Sequence, residues 1–577
     1  MLSRMRRFLA RSLLIRALAL FLTTLLIAGL TPWALRQVRM WEYTRSGRIA
    51  FNKHLYNEAI FYYTKAIELS PRHFKSYCRR GLAYFEKGDH DSAIADYTRA
   101  IGINPGDHWA YDARGTVYDR EGRYEEALRD YNKAIEHNPR FADSYLGRGN
   151  IEKNRGQRDQ AISDYTKAIE LSPRKVVEVT AYYNRGTVYI DEHLYDQAIA
   201  DLTKAIALDP KDPDAYNNRG RAYDENGDYD RAISDFTKAV DLDPRHTTAY
   251  SNRGGAYWRT RRLDDAILDC TRAIEIAPNF APAYVHRGNA YGEKGQHEKA
   301  LADYSKAIEI DPTDANAYFN RGNQYKDHND YDEAIADYTK AVEVDPHYPG
   351  AYLNRGMAYD AIGDRKSAFA DYDRAIVEFT RATESGRQRW TVAEIYRSRG
   401  LAYLQKSQYD KAIADFTKAI ELDPTYGLAY SNRGVVYDAI DQSDQALSDY
   451  NRAIEVDPNL AEAHAGVGNS HLNTGQYEQA ISDYSKAIQL DPYFYRAYKN
   501  RALAYEKLGR HDDAISDLTK ALELNPRYAP AYFNRAKAYA AKGDYAQAIA
   551  DYNKASEIDL TLDAAKEVRE LRRKAER

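Results

Sequence analysis

From Met40 to Leu562 the alternation of apolar and polar positions returns every 34 residues, fifteen times over. The stretch DAYNNRGRAYDENGDYDRAISDFTKAVDLDP, Asp214 to Pro244, shows the pattern most clearly. Tyr216, Gly220 and Tyr223 are spaced four and three apart and share one face of a 3.6-residue helix, which predicts a first helix over Ala215–Asn226. Ala232, Phe236, Ala239, Val240 and Leu242 form the apolar stripe of a second helix. Between them Gly227-Asp228 supplies the left-handed residue that helix ends often need. Asp243-Pro244 then stops the second helix, because proline disfavours helix in the residue before it. Gly220, Ala232 and Ala239 allow two helix backbones to approach closely, and Tyr and Phe fill the remaining space.

A unit of this size buries its apolar face only against its neighbours, so a fixed period in this range marks a solenoid. The expected fold is all-α, an α-solenoid of about fifteen helix-turn-helix units spanning 40–562. Tyr437, on the first-helix stripe of unit twelve, is expected in the core. Two irregularities break the period: three extra residues at Val176–Glu178, and ten at Thr383–Val392, where the proline expected near 380 is missing. They read either as loop growth along one edge or, at the second, as a prolonged helix joining two blocks. Residues 563–577 read as a charged helix with Ala564, Val568 and Leu571 on one side, suited to covering the last apolar face.

An aromatic residue, Gly four later, Tyr three after that, then Ala, an aromatic, Ala and Pro: in this order the unit resembles the tetratricopeptide repeat, over about nine-tenths of the chain. The resemblance implies a right-handed superhelix whose first helices line a concave groove. It also implies a protein–protein interaction scaffold that binds extended peptide or protein partners. One departure is systematic: Arg precedes the Gly where that family commonly has Leu.

Two ladders run through the units. Asn stands two residues before the Gly at Asn184, Asn218, Asn252, Asn320, Asn354, Asn432, Asn500 and Asn534. It is mid-helix, where capping does not explain it, and an amide offers a donor and an acceptor to a peptide backbone. In similar tetratricopeptide superhelices such a ladder lines the groove and holds extended peptide, so these are the candidate partner-binding residues. The competing reading is solvated surface copied by duplication. The second ladder sets Arg before the Gly and Asp in the second helix: Arg80 with Asp96, Arg114 with Asp130, Arg219 with Asp235, Arg433 with Asp449. A buried Arg requires a partner, so these pairs are expected to be structural. Unit one lacks both members (Ser46, Tyr62), while unit thirteen keeps Asp483 but has Val467. Asp191, Asp224, Glu225, Glu293, Asp327 and Asp360, with Arg259 and Lys326 opposing, would make the middle of the groove acidic and favour basic partners.

Composition narrows the function further. The 51 tyrosines are core material first, since each unit needs several large rings. A net charge of −4 with 29% charged residues offers no basic footprint for nucleic acid. No glycine-rich phosphate loop, HExxH, CxxC or nucleophile elbow occurs, so no enzyme, metal, cofactor or small-molecule substrate is expected. Cys78 and Cys270 lie more than five units apart and so cannot bridge within one molecule; Cys270, at the aromatic position of its second helix, reads as a small buried residue. His464 and His471, in unit thirteen, stand where other units have Tyr and read as packing residues.

Residues 1–16 form a basic tail, and 17–35 (Ala17–Leu35) carry no charge. As a helix this run spans roughly 28 Å, close to the ~30 Å core of a bilayer. The expectation is a transmembrane signal-anchor helix in a single-pass protein of a bacterial inner membrane, with the array in the periplasm. The alternatives are a cytoplasmic array, or secretion after signal cleavage. The function expected is a membrane-anchored scaffold for protein or peptide partners. The alternative is an accessory subunit of a cell-envelope machine that exports polysaccharide or assembles outer-membrane structures.

Overall fold

The computed structural model describes residues 32–172, 174–385, 391–558 and 564–575, and among these all regular structure is helical. Helices pair along the chain as the 34-residue period requires. Repeat 1 joins Pro32–Asn52 to Tyr56–Leu69, repeat 6 joins Pro213–Glu225 to Tyr229–Leu242, and repeat 15 joins Ala529–Lys542 to Tyr545–Ile558. Local chemistry sets these limits. Asp212 caps the first helix of repeat 6 by accepting from the Asp214 amide, with Pro213 in the first turn. Gly227 closes that pair's turn at φ 82°.

Except in repeats 5, 7 and 14, where Leu202, Cys270 and Leu518 take its place, each pair is sealed by one ring of the second helix. Tyr97, Tyr165, Phe236, Tyr304, Tyr338, Tyr372, Phe416, Tyr450 and Tyr484 are fully buried there, with alanines one turn either side. The small residue of the first helix is needed for this contact: a Cβ added at Gly220 would lie 2.8 Å from the Phe236 ring. Tyr437 is not such a ring. It is only half-buried, its face 5.9 Å from the Arg433 guanidinium. The core ring of repeat 12 is Tyr450, 1% exposed.

Both irregularities lengthen helices. The extra residues near 176–178 extend the first helix of repeat 5, Lys175–Asp191. Where the proline is missing, the second helix of repeat 10 continues over Arg365–Ser385; residues 386–390 lie outside the described ones. Prolongation buries Glu378, which is held by Arg374 at 2.9 Å, His347 at 2.9 Å and Arg381 at 3.3 Å. At the C-terminal end, Ala564, Val568 and Leu571 are buried against Ala536, Ala548 and Tyr552.

The chain divides into two compact units, one ending at Pro244 and one starting at Arg245, rather than near 383–392. In both, successive first helices touch: His108–Arg120 with Ala142–Asn154, and Ala281–Glu293 with Ala315–Asp327. No successive second helices among the described residues pack that closely, so each unit curves with its first helices inside. In the second unit the coil meets itself. The Asn525 amide donates to Asn329 Oδ1 at 3.1 Å, and Tyr493 lies against Gly295.

The membrane expectation is corrected. Most of the segment 17–35 lies outside the described residues. Its last part, from Pro32, belongs to the described repeat-1 helix Pro32–Asn52, which carries Arg36, Arg39, Arg45 and Arg48. No described helix is long and apolar enough to cross a membrane. The single-pass, periplasmic placement loses its structural basis.

Candidate partner-binding face

The arginine before each Gly ties three helices together. Thirteen Arg–Asp pairs are present among the described residues. Arg433 is representative: Nε and Nη2 donate to Asp449 at 2.7 and 2.8 Å, while Nη1 donates to Thr417 of the preceding repeat at 2.9 Å. Hydrogen bonding to the aspartate raises the Arg433 pKa further against the opposing effect of burial. The guanidinium lies between the rings of Tyr430 and Tyr437, each 5.9 Å away. Both hydroxyl and carboxylate are thus committed to the scaffold, and this ladder is not a ligand site.

Repeat 13 keeps the scheme with other residues. His471 Nδ1 donates to Asp483 at 2.6 Å where Val467 replaces the arginine. His464 Nε2 donates to the Pro458 carbonyl at 3.1 Å, the bond that the Tyr284 hydroxyl makes to Pro278 at 3.0 Å. Both histidines do polar work rather than plain packing.

The asparagine ladder divides into two kinds. Asn184 donates to Asn150 at 2.8 Å, Asn320 to Asn289 at 3.2 Å, Asn354 to Asn323 at 2.8 Å and Asn500 to Asn469 at 2.9 Å. Each acceptor is the residue after the Gly of the preceding repeat, and the same oxygen accepts the buried tyrosine hydroxyl: Tyr165, Tyr304, Tyr338 and Tyr484 respectively. Asn218 donates to the Tyr183 hydroxyl at 2.8 Å, and Asn252 is not free either. Sequence reasoning missed these four acceptors. The signal was present, since Asn follows the Gly only in repeats whose core ring is Tyr. Where Met357 and Val435 follow the Gly, Tyr372 and Tyr450 donate instead to Asp360 and Asp438, both at 2.8 Å.

Asn432 and Asn534 differ because the repeats before them carry Leu401 with Phe416, and Leu503 with Leu518. The Asn432 amide nitrogen is buried without an acceptor. The Asn534 amide has none among the described residues.

Several acids expected to line an acidic groove are already engaged. Asp191 pairs with Arg221 at 3.3 Å, Asp327 with Lys326 at 3.7 Å, and Glu293 with Arg261, while Asp360 accepts from Tyr372. A cavity of about 680 Å³ lies at the turns of repeats 8 and 9, lined by His297, Gln324, His328 and Asp330. No group of three or more metal-ligating side chains occurs among the described residues.

Two carboxyls of the first unit titrate unusually. Burial, then the Asp164 charge, pushes Glu152 up to about 7 against the pull of Arg148. Burial pushes Asp112 up to about 6, although the Ser144 hydroxyl and Arg174 favour its charge. Both groups hold their protons more tightly folded than unfolded. Their contribution is therefore complete below the ordinary carboxyl range and lost as pH rises through about 6 for Asp112 and about 7 for Glu152. Urea denaturation should show the first unit losing about 1–2 kcal/mol between about pH 5 and 8 through these groups, after allowance for solvent screening. Asp112→Asn with Glu152→Gln should flatten that slope. An unchanged slope would show that the two groups are not its source.

Comparison with known families and structures agrees with this geometry. Profiles described as "Tetratricopeptide repeat" match residues 74–107, 113–141, 315–348, 393–426, 427–460, 495–528 and 529–561. Others of the same description match 146–215, 183–240 and 217–281, then 270–302, and 43–73 and 349–376. One described as "TPR repeat" matches 288–327 and 468–509. Comparison with curated proteins gives no match. A solved structure titled "Crystal structure of APC/C hetero-tetramer Cut9-Hcn1" is similar in fold at TM-score 0.55 and 16% identity, covering 87% of this chain and 96% of that one. YrrB, titled "a TPR protein with an unusual peptide-binding site", is 29% identical over 32% of this chain and 95% of its own, with a TM-score of 0.28. With family matches spread from residue 43 to 561 on helix pairs that pack as repeats, the chain belongs to the tetratricopeptide-repeat family of protein-interaction scaffolds.

Proposed function

We propose that the chain is a non-enzymatic scaffold that holds extended peptide or protein segments along the inner, first-helix face of its repeats. The observation that carries this reading is the pair of ladder amides the scaffold leaves unused. Asn432 and Asn534 stand where Asn184, Asn320, Asn354 and Asn500 stand; the Asn432 amide nitrogen is buried without an acceptor, and Asn534 makes no hydrogen bond among the described residues. A donor left without an acceptor costs stability, and a partner's backbone carbonyl would satisfy it once the Asn432 amide turns outward to the groove. Asn184, Asn218, Asn320, Asn354 and Asn500 hold neighbouring repeats together and keep the face in register. The engaged acids give little support to a preference for basic partners.

The test separates the two kinds of asparagine. Asn432→Ala with Asn534→Ala should weaken capture of extended peptides by about ten-fold, as loss of two hydrogen bonds implies, and leave melting unchanged or raised. Asn184→Ala and Asn354→Ala should each cost about 1 kcal/mol of stability, because each frees an acceptor shared with a buried tyrosine. Peptide arrays and thermal melts on the same variants read both effects. Equal binding by the Asn432/Asn534 variant would remove the groove amides from the reading.

A further inference from the structure

Asp191, Glu293 and Asp327 of the middle repeats are each matched by a cation of the chain. Repeats 14 and 15 gather cations without such a match. Arg496, Lys499 and Lys537 have no carboxylate within salt-bridge distance among the described residues. The first helix of repeat 14, Tyr495–Lys507, carries a single acid, Glu506, and His511 takes it at 2.9 Å. The first helix of repeat 15, Ala529–Lys542, has no acid.

The register places these cations on the ladder side. Lys499 adjoins Asn500, and Arg496 lies one turn earlier on the same helix. Lys537 follows Ala536 as Asn289, Asn323 and Asn469 follow their glycines, the place from which those residues reach the next ladder amide. The cations are also held in place. Arg496 sits 5.7 Å from the Tyr495 ring, which packs edge-on against Tyr528, and Lys537 lies 4.6 Å from the Phe533 ring. Burial and the neighbouring Arg496 charge lower the Lys499 pKa, as expected of two cations sharing a recess without a counter-charge.

We propose that the first-helix face of repeats 14 and 15 takes an acidic peptide segment, whose carboxylates pair with Arg496, Lys499 and Lys537 and whose backbone meets the Asn534 amide. This rests on the groove reading above. The flanking Leu503 and Phe533 suit side chains of an extended peptide. Three cations on a chain of net charge −4 do not form the continuous basic stripe that a nucleic-acid backbone requires.

Fluorescence anisotropy on the full chain tests it with four labelled probes: a short Asp/Glu-rich peptide, its Asn/Gln counterpart, a Lys/Arg counterpart and a single-stranded oligonucleotide. The acidic peptide should bind about ten-fold tighter than the Asn/Gln one, with the difference shrinking as salt rises. Lys499→Gln with Lys537→Gln should remove that difference, leave the Asn/Gln peptide unaffected and preserve the melting curve. Lys499→Glu should move the preference towards the Lys/Arg peptide. Equal binding of acidic and Asn/Gln peptides, unaltered binding by the variants, or tighter binding of the oligonucleotide would overturn the proposal. Binding of the Asn/Gln peptide alone would overturn only this proposal, whereas failure of every peptide would overturn the groove reading with it.

Discussion

Asp235→Ala, with Arg219 left in place, should lower the stability of the first unit by about 3–5 kcal/mol. Arg219 donates Nε and Nη2 to Asp235 at 2.7 and 2.8 Å and Nη1 to Thr203 of the preceding repeat at 3.1 Å. Its guanidinium also lies 5.8 and 5.9 Å from the Tyr216 and Tyr223 rings. Removing the carboxylate strands a largely buried cation between two rings, with one hydroxyl left to solvate it. Arg219→Leu with Asp235→Ala should recover much of the loss, because an apolar pair of similar volume often replaces a buried ion pair at little cost. Repeat 1 shows that an uncharged solution exists, with Ser46 and Tyr62 at these places and Tyr62 stacked on Tyr43. The control is Lys340→Ala. Lys340 meets Glu343 at 2.7 Å with both side chains more than half exposed, so its loss should cost under about 0.5 kcal/mol. Urea denaturation followed by circular dichroism measures all of these. A loss at Asp235 no larger than at Lys340 would mean the ladder is surface decoration.

The fold could be read from the sequence because every apolar position was written fifteen times and noise at one repeat was corrected by the next. The Arg–Asp ladder was legible for a related reason: its members are absent together in repeat 1. Contacts between repeats were harder. Whether Asn184 faces a partner or a neighbour depends on Asn150, 34 residues earlier, and a period alone does not say which two positions touch across it. The covariation that marks the contact links Asn after the Gly to a core Tyr, and Leu401 or Leu503 to Phe416 or Leu518. Charge was misjudged because a count does not record pairing, as Asp191 and Glu293 show. Helix length was ambiguous at both insertions, since extra residues without Pro or a capping pattern extend a helix as readily as a loop. The membrane expectation rested on a run of uncharged residues ending at Leu35, whereas the last of them, from Pro32, belong to a helix that runs to Asn52 through four arginines.

Tyr450→Ala should be the most damaging single truncation in repeat 12, at about 3–5 kcal/mol. Tyr450 is 1% exposed and packs with Ala446 and Val467. Gly434 admits its ring, since a Cβ there would lie 2.7 Å from it, and Gly466 of the next repeat does the same from the other side. Truncation leaves a cavity bounded by two helix backbones that cannot collapse without shifting the repeat-to-repeat contact. The hydroxyl has a separate share. It donates to Asp438 at 2.8 Å, and burial followed by the Asp438 charge pushes the phenol pKa far up, so it remains a donor at working pH. Tyr450→Phe should therefore cost about 1–2 kcal/mol by leaving that carboxylate without its donor. Tyr450→Phe with Asp438→Leu should restore stability, because repeat 11 already combines Leu404 with Phe416 at the same two places. Tyr437→Ala should cost about 1 kcal/mol, as half-buried side chains lose less on truncation. Urea denaturation monitored in the second unit distinguishes these four variants. Equal losses at Tyr450 and Tyr437, or a double variant no better than Tyr450→Phe, would refute the assignment of Tyr450 as the ring that closes the repeat and of Asp438 as the acceptor it requires.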